Sequence, residues 1–226
     1  ALVFVGTVPI SAGLLSRPHQ WAIHPGIFSR DLGDPRYFHR RLHGLCWTAL
    51  YYLPPAYLVV TAIPPLQRLV FRLFGYRGSQ RFTVYPDTWI RDLPLLELGD
   101  GVYVSNRATL GTNIVLPNAR IRVGRIRLGA RTLVGHGAVV GLGTETGTDV
   151  EIGVCAAIGM NVRIGEGAMI APRAMIDHRA VIGRRARIGV GAYVGPGVVV
   201  KDNAVLSAGA VLGSRRVVGA DKAVPA

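Results

Sequence analysis

Residues 151–188 read EIGVCAAIGMNVRIGEGAMIAPRAMIDHRAVIGRRARI, with isoleucine at 152, 158, 164, 170, 176, 182 and 188. Counting by six in both directions extends this comb from Leu98 to Leu212, where 18 of 20 positions are aliphatic; the exceptions are Arg122 and Thr146, and the register resumes after each. A strict period of six is neither a helix repeat nor a simple alternation. It marks a solenoid whose coils stack flat faces.

Neighbouring columns agree. Two residues before each comb position, from Val150 to Ala210, every residue is alanine or valine, which suits a narrow core. The residue after the comb position is glycine thirteen times, among them 129, 135, 159 and 165, as a sharp corner without a Cβ penalty requires. Residues 112–127, TNIVLPNARIRVGRIR, break the glycine rule and put Arg122 on a comb position. A charge inside so thin a core carries a large cost. Either the chain loops out there or the coil is distorted.

This pattern resembles the hexapeptide-repeat acyltransferase superfamily over residues 98–213, about half the chain. The resemblance implies a mainly β fold, a left-handed parallel β-helix with eighteen residues per triangular coil. Twenty hexads then make between six and seven coils, about 30 Å tall at the usual strand spacing. The expected organisation is an apolar, basic, helical segment and cap at 1–97, the β-helix at 98–213 and a tail at 214–226. A weaker similarity is to the β-helical C-terminal domains of polylysine-synthetase-like peptide synthetases, where apolar helices precede the repeats. The chain opens at Ala1 inside an apolar stretch with no basic leader, as expected of a piece of something longer rather than of a signal peptide.

Leu42 to Gln67 carries no formally charged residue and is long enough to span a bilayer, but Pro54-Pro55 and Pro64-Pro65 interrupt it. Two short helices at a membrane interface are expected instead of one straight span. Arg40, Arg41, Arg68, Arg72, Arg77 and Arg81 flank the run and suit anionic headgroups. Leu66, Leu69, Val70, Leu73 and Phe74 fall opposite Arg68 and Arg72, an amphipathic pattern. Packing of the same helices as ordinary core stays open as the alternative. The expected location is the cytoplasm, peripheral or monotopic at the inner face of the membrane. Residues 82–97 read as an irregular lead-in capping one end of the prism, with Arg215 and Arg216 capping the other.

Net charge is +13, almost wholly from arginine. The arginines are scattered and no aromatic platform accompanies them, so nucleic acid is not the expected partner. Cys46 and Cys155 lie in different regions and read as buried thiols of a reducing compartment, without a disulfide.

Acyl transfer needs a base that is neutral near pH 7, and histidine is the natural candidate. Of six histidines only His136 and His178 lie in the repeat, each two residues after a comb position, at a corner. In Ile176-Asp177-His178-Arg179 an aspartate replaces the corner glycine, and this interruption resembles the catalytic coil of family acyltransferases. His178 is therefore the expected general base, Asp177 a candidate to orient its ring, and Asn161, seventeen residues back, a candidate contact. His136 lies seven hexads before His178 and is the second catalytic candidate, entering an intersubunit cleft from the opposite wall of a homotrimer. Asn113 stands where sugar acetyltransferases of the family often carry their histidine, which tells against that variant of the mechanism.

The resemblance further implies an acyl-CoA or carrier-protein thioester as co-substrate, with cations on its phosphates. Arg179, Arg184, Arg187 and Lys201 are the candidates. No metal is expected, because the family's zinc sites need three histidines and the repeat has two. The acceptor is a small-molecule or carrier-bound hydroxyl or amine. The rival reading is a non-catalytic trimeric scaffold that docks a membrane or a partner domain.

Overall fold

The computed structural model describes residues 2–214 and 216–219. The chain forms two compact units. One comprises residues 1–78, 90–96 and 112–124, the other residues 79–89, 97–111 and 125–226.

The second unit is a parallel β-solenoid. Strands fall in turn on three seven-stranded sheets, and each strand pairs with the one a full coil away. Face one runs through Leu133–Val134, Glu151–Ile152, Met169–Ile170 and Arg187–Ile188. Face two runs through Val139–Gly141, Ala157–Ile158, Met175–Ile176 and Tyr193–Val194. Face three runs through Glu145–Thr146, Arg163–Ile164, Val181–Ile182 and Val199–Val200. Comb residues stack over one another inside, and Ile152, Ile170, Ile176, Val194 and Val200 are fully buried beside the alanine column. Thr146, the polar comb residue, accepts from the Gly129 N–H at 2.9 Å and meets the Thr132 hydroxyl at 3.1 Å, so it is hydrogen-bonded where an aliphatic side chain would pack.

The sheets extend beyond the comb at both ends. Phe82–Val84 pairs with Val102–Val104, so the expected lead-in cap is already a coil. Val217–Val218 pairs with Val199–Val200, and Arg216 belongs to that last coil; Arg215 and most of the 214–226 tail lie outside the described residues.

The corner glycines have a different cause from the one expected. The left-handed backbone falls three residues after the comb position, where Arg131, Asp149, Cys155, Asn161, Arg173, Arg179, Arg185 and Asn203 take φ between 53° and 61°. The glycines one residue after the comb are needed for close approach between coils: a Cβ at Gly165 would lie 2.6 Å from Arg184 N. Gly165→Ala is expected to destabilise the solenoid by about 1–3 kcal/mol through overpacking, read as a lower urea midpoint at unchanged slope.

Between Leu110 on face two and Leu128 on face three the chain leaves the solenoid, which answers the question posed by Arg122. Asn113–Leu116 and Arg120–Val123 form an antiparallel hairpin, and Arg120–Val123 pairs in turn with Gly26–Ser29. Arg122 sits in that hairpin and not in a coil core.

Among its described residues the first unit contains four α-helices: α1 (Leu2–Ser16), α2 (Pro35–Tyr51), α3 (Pro54–Ala62) and α4 (Pro64–Leu73). The proline pairs start α3 and α4, where proline lacks only an N–H that would be unpaired anyway. Asp34 caps α2 by accepting from the Arg36 N–H at 2.8 Å. Trp47, Tyr57, Phe71 and Phe74 form the aromatic core, with the Trp47 indole N–H donating to the Ile90 carbonyl at 2.6 Å. Among the described residues no single helix is long and apolar enough to cross a membrane; α2 and α3 pass only as a pair, bent by 87°.

A buried charged centre ties this unit together. Asp92, 1% exposed and in the left-handed region at φ 56°, pairs with Arg40 from α2, 3% exposed. It also accepts from the Thr112 hydroxyl at 2.7 Å and from Asn113 at 3.3 Å, so three separate segments meet on one carboxylate. Burial alone would push its pKa up, but Arg40 and Arg91 hold it below the usual carboxylate range. His43 lies alongside, donating to the Phe74 carbonyl at 3.3 Å; burial drives its pKa down.

Candidate functional site

His178 is held at the corner between faces two and three by a set of contacts reaching across coils. The Met160 N–H, one coil earlier, donates to its Nδ1 at 2.9 Å. Gly159 leaves room for the ring: a Cβ there would lie 2.6 Å from His178 Nδ1. Asp177, at the position where other corners carry glycine, accepts from the His178 N–H through Oδ1 at 2.6 Å and from the Tyr193 hydroxyl through Oδ2 at 2.9 Å. The His178 N–H above all, with help from the Tyr193 hydroxyl, holds the Asp177 carboxyl below its usual range against the opposing effect of burial. The same bond pushes the Tyr193 phenol up. The imidazole remains half exposed, with 52% of its side chain accessible.

These contacts set the tautomer. An amide N–H donates only to a lone pair, so neutral His178 carries its proton on Nε2 and presents a donor to solvent. Asp177 Oδ1 lies 3.5 Å from Nδ1, outside hydrogen-bond range. Asp177 thus orients the backbone of His178 rather than its ring.

Asn161 does not join this cluster. It occupies the left-handed corner position at φ 56°, and its carboxamide oxygen reaches back to Gly143 in the preceding coil. Its neighbour Met160 makes the contact that the sequence suggested for Asn161. Asn113 lies in the hairpin, bonded to Asp92.

His136 is exposed at the corner between faces one and two, where its carbonyl accepts from the Cys155 N–H at 2.8 Å. His136 and His178 therefore stand on the two different corners that bound face two. The outward residues Val139, Ala157 and Met175 of that face between them are uncharged, and Tyr193 continues the column one coil beyond His178. Cys155 is exposed, contrary to its reading as a buried thiol, while Cys46 is half-buried with its pKa raised by burial; both are free.

The four candidate phosphate-binding cations fall on three separate parts of the solenoid. Arg179 adjoins His178. Arg184 lines a cavity of about 250 Å³ together with Asp149, Glu166 and Arg185, where Asp149 is ion-paired with Arg131. Lys201 borders a groove of about 530 Å³ with Val181, Val199 and Asp202. Arg187 points outward from face one. Among the described residues, no group of three or more His, Cys, Asp or Glu side chains is arranged to hold a metal ion.

Tyr193 and Gly159 were not singled out by the sequence reading. Each stands one coil from the His178 corner, so the stacking of eighteen-residue coils was the signal available: Tyr193 pairs with Met175, two residues before Asp177.

Residues 179–214 match the family model described as bacterial transferase hexapeptide (six repeats). No curated protein matches the chain. Among solved structures, UDP-N-acetylglucosamine O-acyltransferase (LpxA) from Moraxella catarrhalis RH4 is similar at 14% identity and TM-score 0.53, over 58% of this chain and 53% of that one. PerB from Caulobacter crescentus, in complex with CoA and GDP-perosamine, matches at 21% identity and TM-score 0.37, over 70% and 61%. The acetyltransferase domain of PglB from Neisseria gonorrhoeae FA1090, in complex with acetyl coenzyme A, matches at 18% and 0.33, over 72% and 66%. The chain thus spans between about half and two thirds of these proteins, and the likeness to the first is one of fold. These comparisons do not show the weaker similarity to polylysine-synthetase-like domains.

Proposed function

We propose that this hexapeptide-repeat protein is an acyltransferase that moves an acyl group from a coenzyme A or carrier-protein thioester to a hydroxyl or amine. The observation that carries this reading is the construction around His178: a glycine that admits the ring, an amide that pins it and an ionised Asp177 beside it. The transferase repeat model begins at the next residue, and the LpxA chain that shares the fold is an O-acyltransferase.

In the transfer, the acceptor attacks the thioester carbonyl while His178 Nε2 takes its proton. The tetrahedral intermediate then collapses, the carbon–sulfur bond breaks, and the imidazolium returns the proton to the thiolate. Nε2 can accept only when the ring's own proton sits on Nδ1, facing Asp177. A homotrimer would bring His136 of one protomer toward His178 of another across face two, with Arg179 nearest the donor's phosphates. Release of free thiol from acetyl-CoA, acyl-CoA or acyl carrier protein in the presence of hydroxyl and amine acceptors tests the reading. Failure of every donor to turn over would leave the scaffold alternative.

The helical unit would hold the protein at a membrane surface. Leu15, Trp21, Leu45, Tyr52 and Leu58 are 54–69% exposed there, and Arg17, Arg41, Arg68 and Arg72 accompany them. The protein is expected to float with phosphatidylglycerol vesicles and not with phosphatidylcholine alone, and Leu45→Asp with Leu58→Asp should abolish flotation. Equal recovery with both vesicle types would count against it.

A further inference from the structure

His178 Nδ1 stands between two groups that favour opposite tautomers. The Met160 N–H donates to it at 2.9 Å, while Asp177 Oδ1, a proton acceptor, waits at 3.5 Å. What keeps the carboxylate at that distance is visible: Oδ2 is taken by the Tyr193 hydroxyl at 2.9 Å and Oδ1 by the His178 N–H at 2.6 Å. Tyr193 reaches it from the next coil of face two, where its ring is half-buried and its hydroxyl borders the corner that an acceptor must approach.

We propose that Tyr193 is a positioning residue that holds Asp177 off the His178 ring, so that His178 stays in its non-basic Nε2–H form until a bound acceptor takes over the tyrosine hydroxyl. The competition at Nδ1 favours such a device. A hydrogen bond from Nδ1–H to a carboxylate is charge-assisted and about twice as strong as one between neutral groups. Once Oδ2 is released, a movement of less than 1 Å brings Oδ1 into range, and the ring proton moves to Nδ1 as the Met160 amide loses its acceptor. Nε2 is then bare and able to take a proton. In the unoccupied protein the lock denies water a base, which protects a bound thioester from hydrolysis. This rests on the acyl-transfer reading for its purpose, but not for its test.

The test is the imidazole signal of His178 in full-length protein labelled with ¹⁵N and ¹³C histidine, recorded at a pH where the ring is neutral. Wild type should show the Nε2–H pattern and Tyr193→Phe the Nδ1–H pattern, while Tyr193→Phe combined with Asp177→Ala should return to Nε2–H. An Nδ1–H pattern in wild type, an unchanged pattern in Tyr193→Phe, or a shift that persists without Asp177 would each overturn the proposal. Thermal unfolding is expected to be unchanged in Tyr193→Phe; if it is not, Asp177→Ala alone, expected to keep Nε2–H, replaces it beside wild type, and an Nδ1–H pattern there overturns the proposal. Acceptor-free hydrolysis of the thioester should rise in Tyr193→Phe toward the roughly 10²-fold that a positioned base supplies. If no thioester donor turns over while the tautomer shift is seen, the acyl-transfer reading fails and the lock stands.

Discussion

His178→Ala is expected to lower acceptor-dependent thioester turnover by about 10²–10⁴-fold, the usual contribution of a positioned acid–base group. The fold should survive, because the side chain is half exposed and the comb residues beneath it, Ile158, Ile176 and Val194, keep their packing. The fall should appear in kcat with little change in KM for the donor, since the ring acts on the travelling proton and not on the nucleotide end of the thioester. His136→Ala measures the second corner in the same assay; in a cleft built from two protomers it lowers turnover too. Full activity in His178→Ala would end the catalytic assignment.

The largest stability effect is expected at Asp92. Removing one partner of a buried pair leaves the other charge without compensation, at a cost of about 3–5 kcal/mol. Asp92→Ala strands Arg40 and also releases Thr112 and Asn113, so the helical unit should unfold at markedly lower urea, followed by the emission of buried Trp47. Replacing Arg40 by Met in the same chain should recover part of the loss, because the stranded charge is gone.

The pH dependence has a definite sign. Asp92 and His43 both titrate lower in the folded protein than their ordinary values of 3.8 and 6.5. In each case the unfolded chain takes up the proton first, so both contributions are complete above the ordinary value and are lost as pH falls. Stability of the helical unit should begin to drop below about pH 6.5 through His43 and drop further below about pH 4 through Asp92. In Asp92→Ala the second decline should be absent. A wild-type stability that rises on acidification would contradict the buried-pair account.

How the comb survived its interruption explains both what the sequence made legible and what it hid. Leu110 and Leu128 are separated by eighteen residues where six would suffice, so the excursion adds twelve, a whole number of hexads. Counting by six therefore passes through the hairpin without losing register, and Leu116 falls on the count although it never enters a coil. At the N-terminal end the reverse happens. Ile90 and Leu98 stand eight apart across a short 3-10 turn at Leu93–Leu95, so the count lands on Asp92 and misses the first coil.

The sequence by itself determined the solenoid, its period of six and the two corners that carry histidine, and it marked residues 112–127 as either a loop or a distorted coil; the triangular section came with the family resemblance. It did so because a core one side chain thick, stacked at a constant rise, imposes the same residue classes every six positions. Which neighbour each corner residue meets depends on side chains brought together by stacking, eighteen residues apart, and no local pattern encodes that. Only the tertiary structure decided that Met160 rather than Asn161 touches His178, that Tyr193 occupies Asp177, and that Arg179 and Arg187 lie apart from each other and from the corner shared by Arg184 and Lys201. It also decided that Asp92, a position that the count by six meets but no coil contains, is the charge on which the helical unit closes.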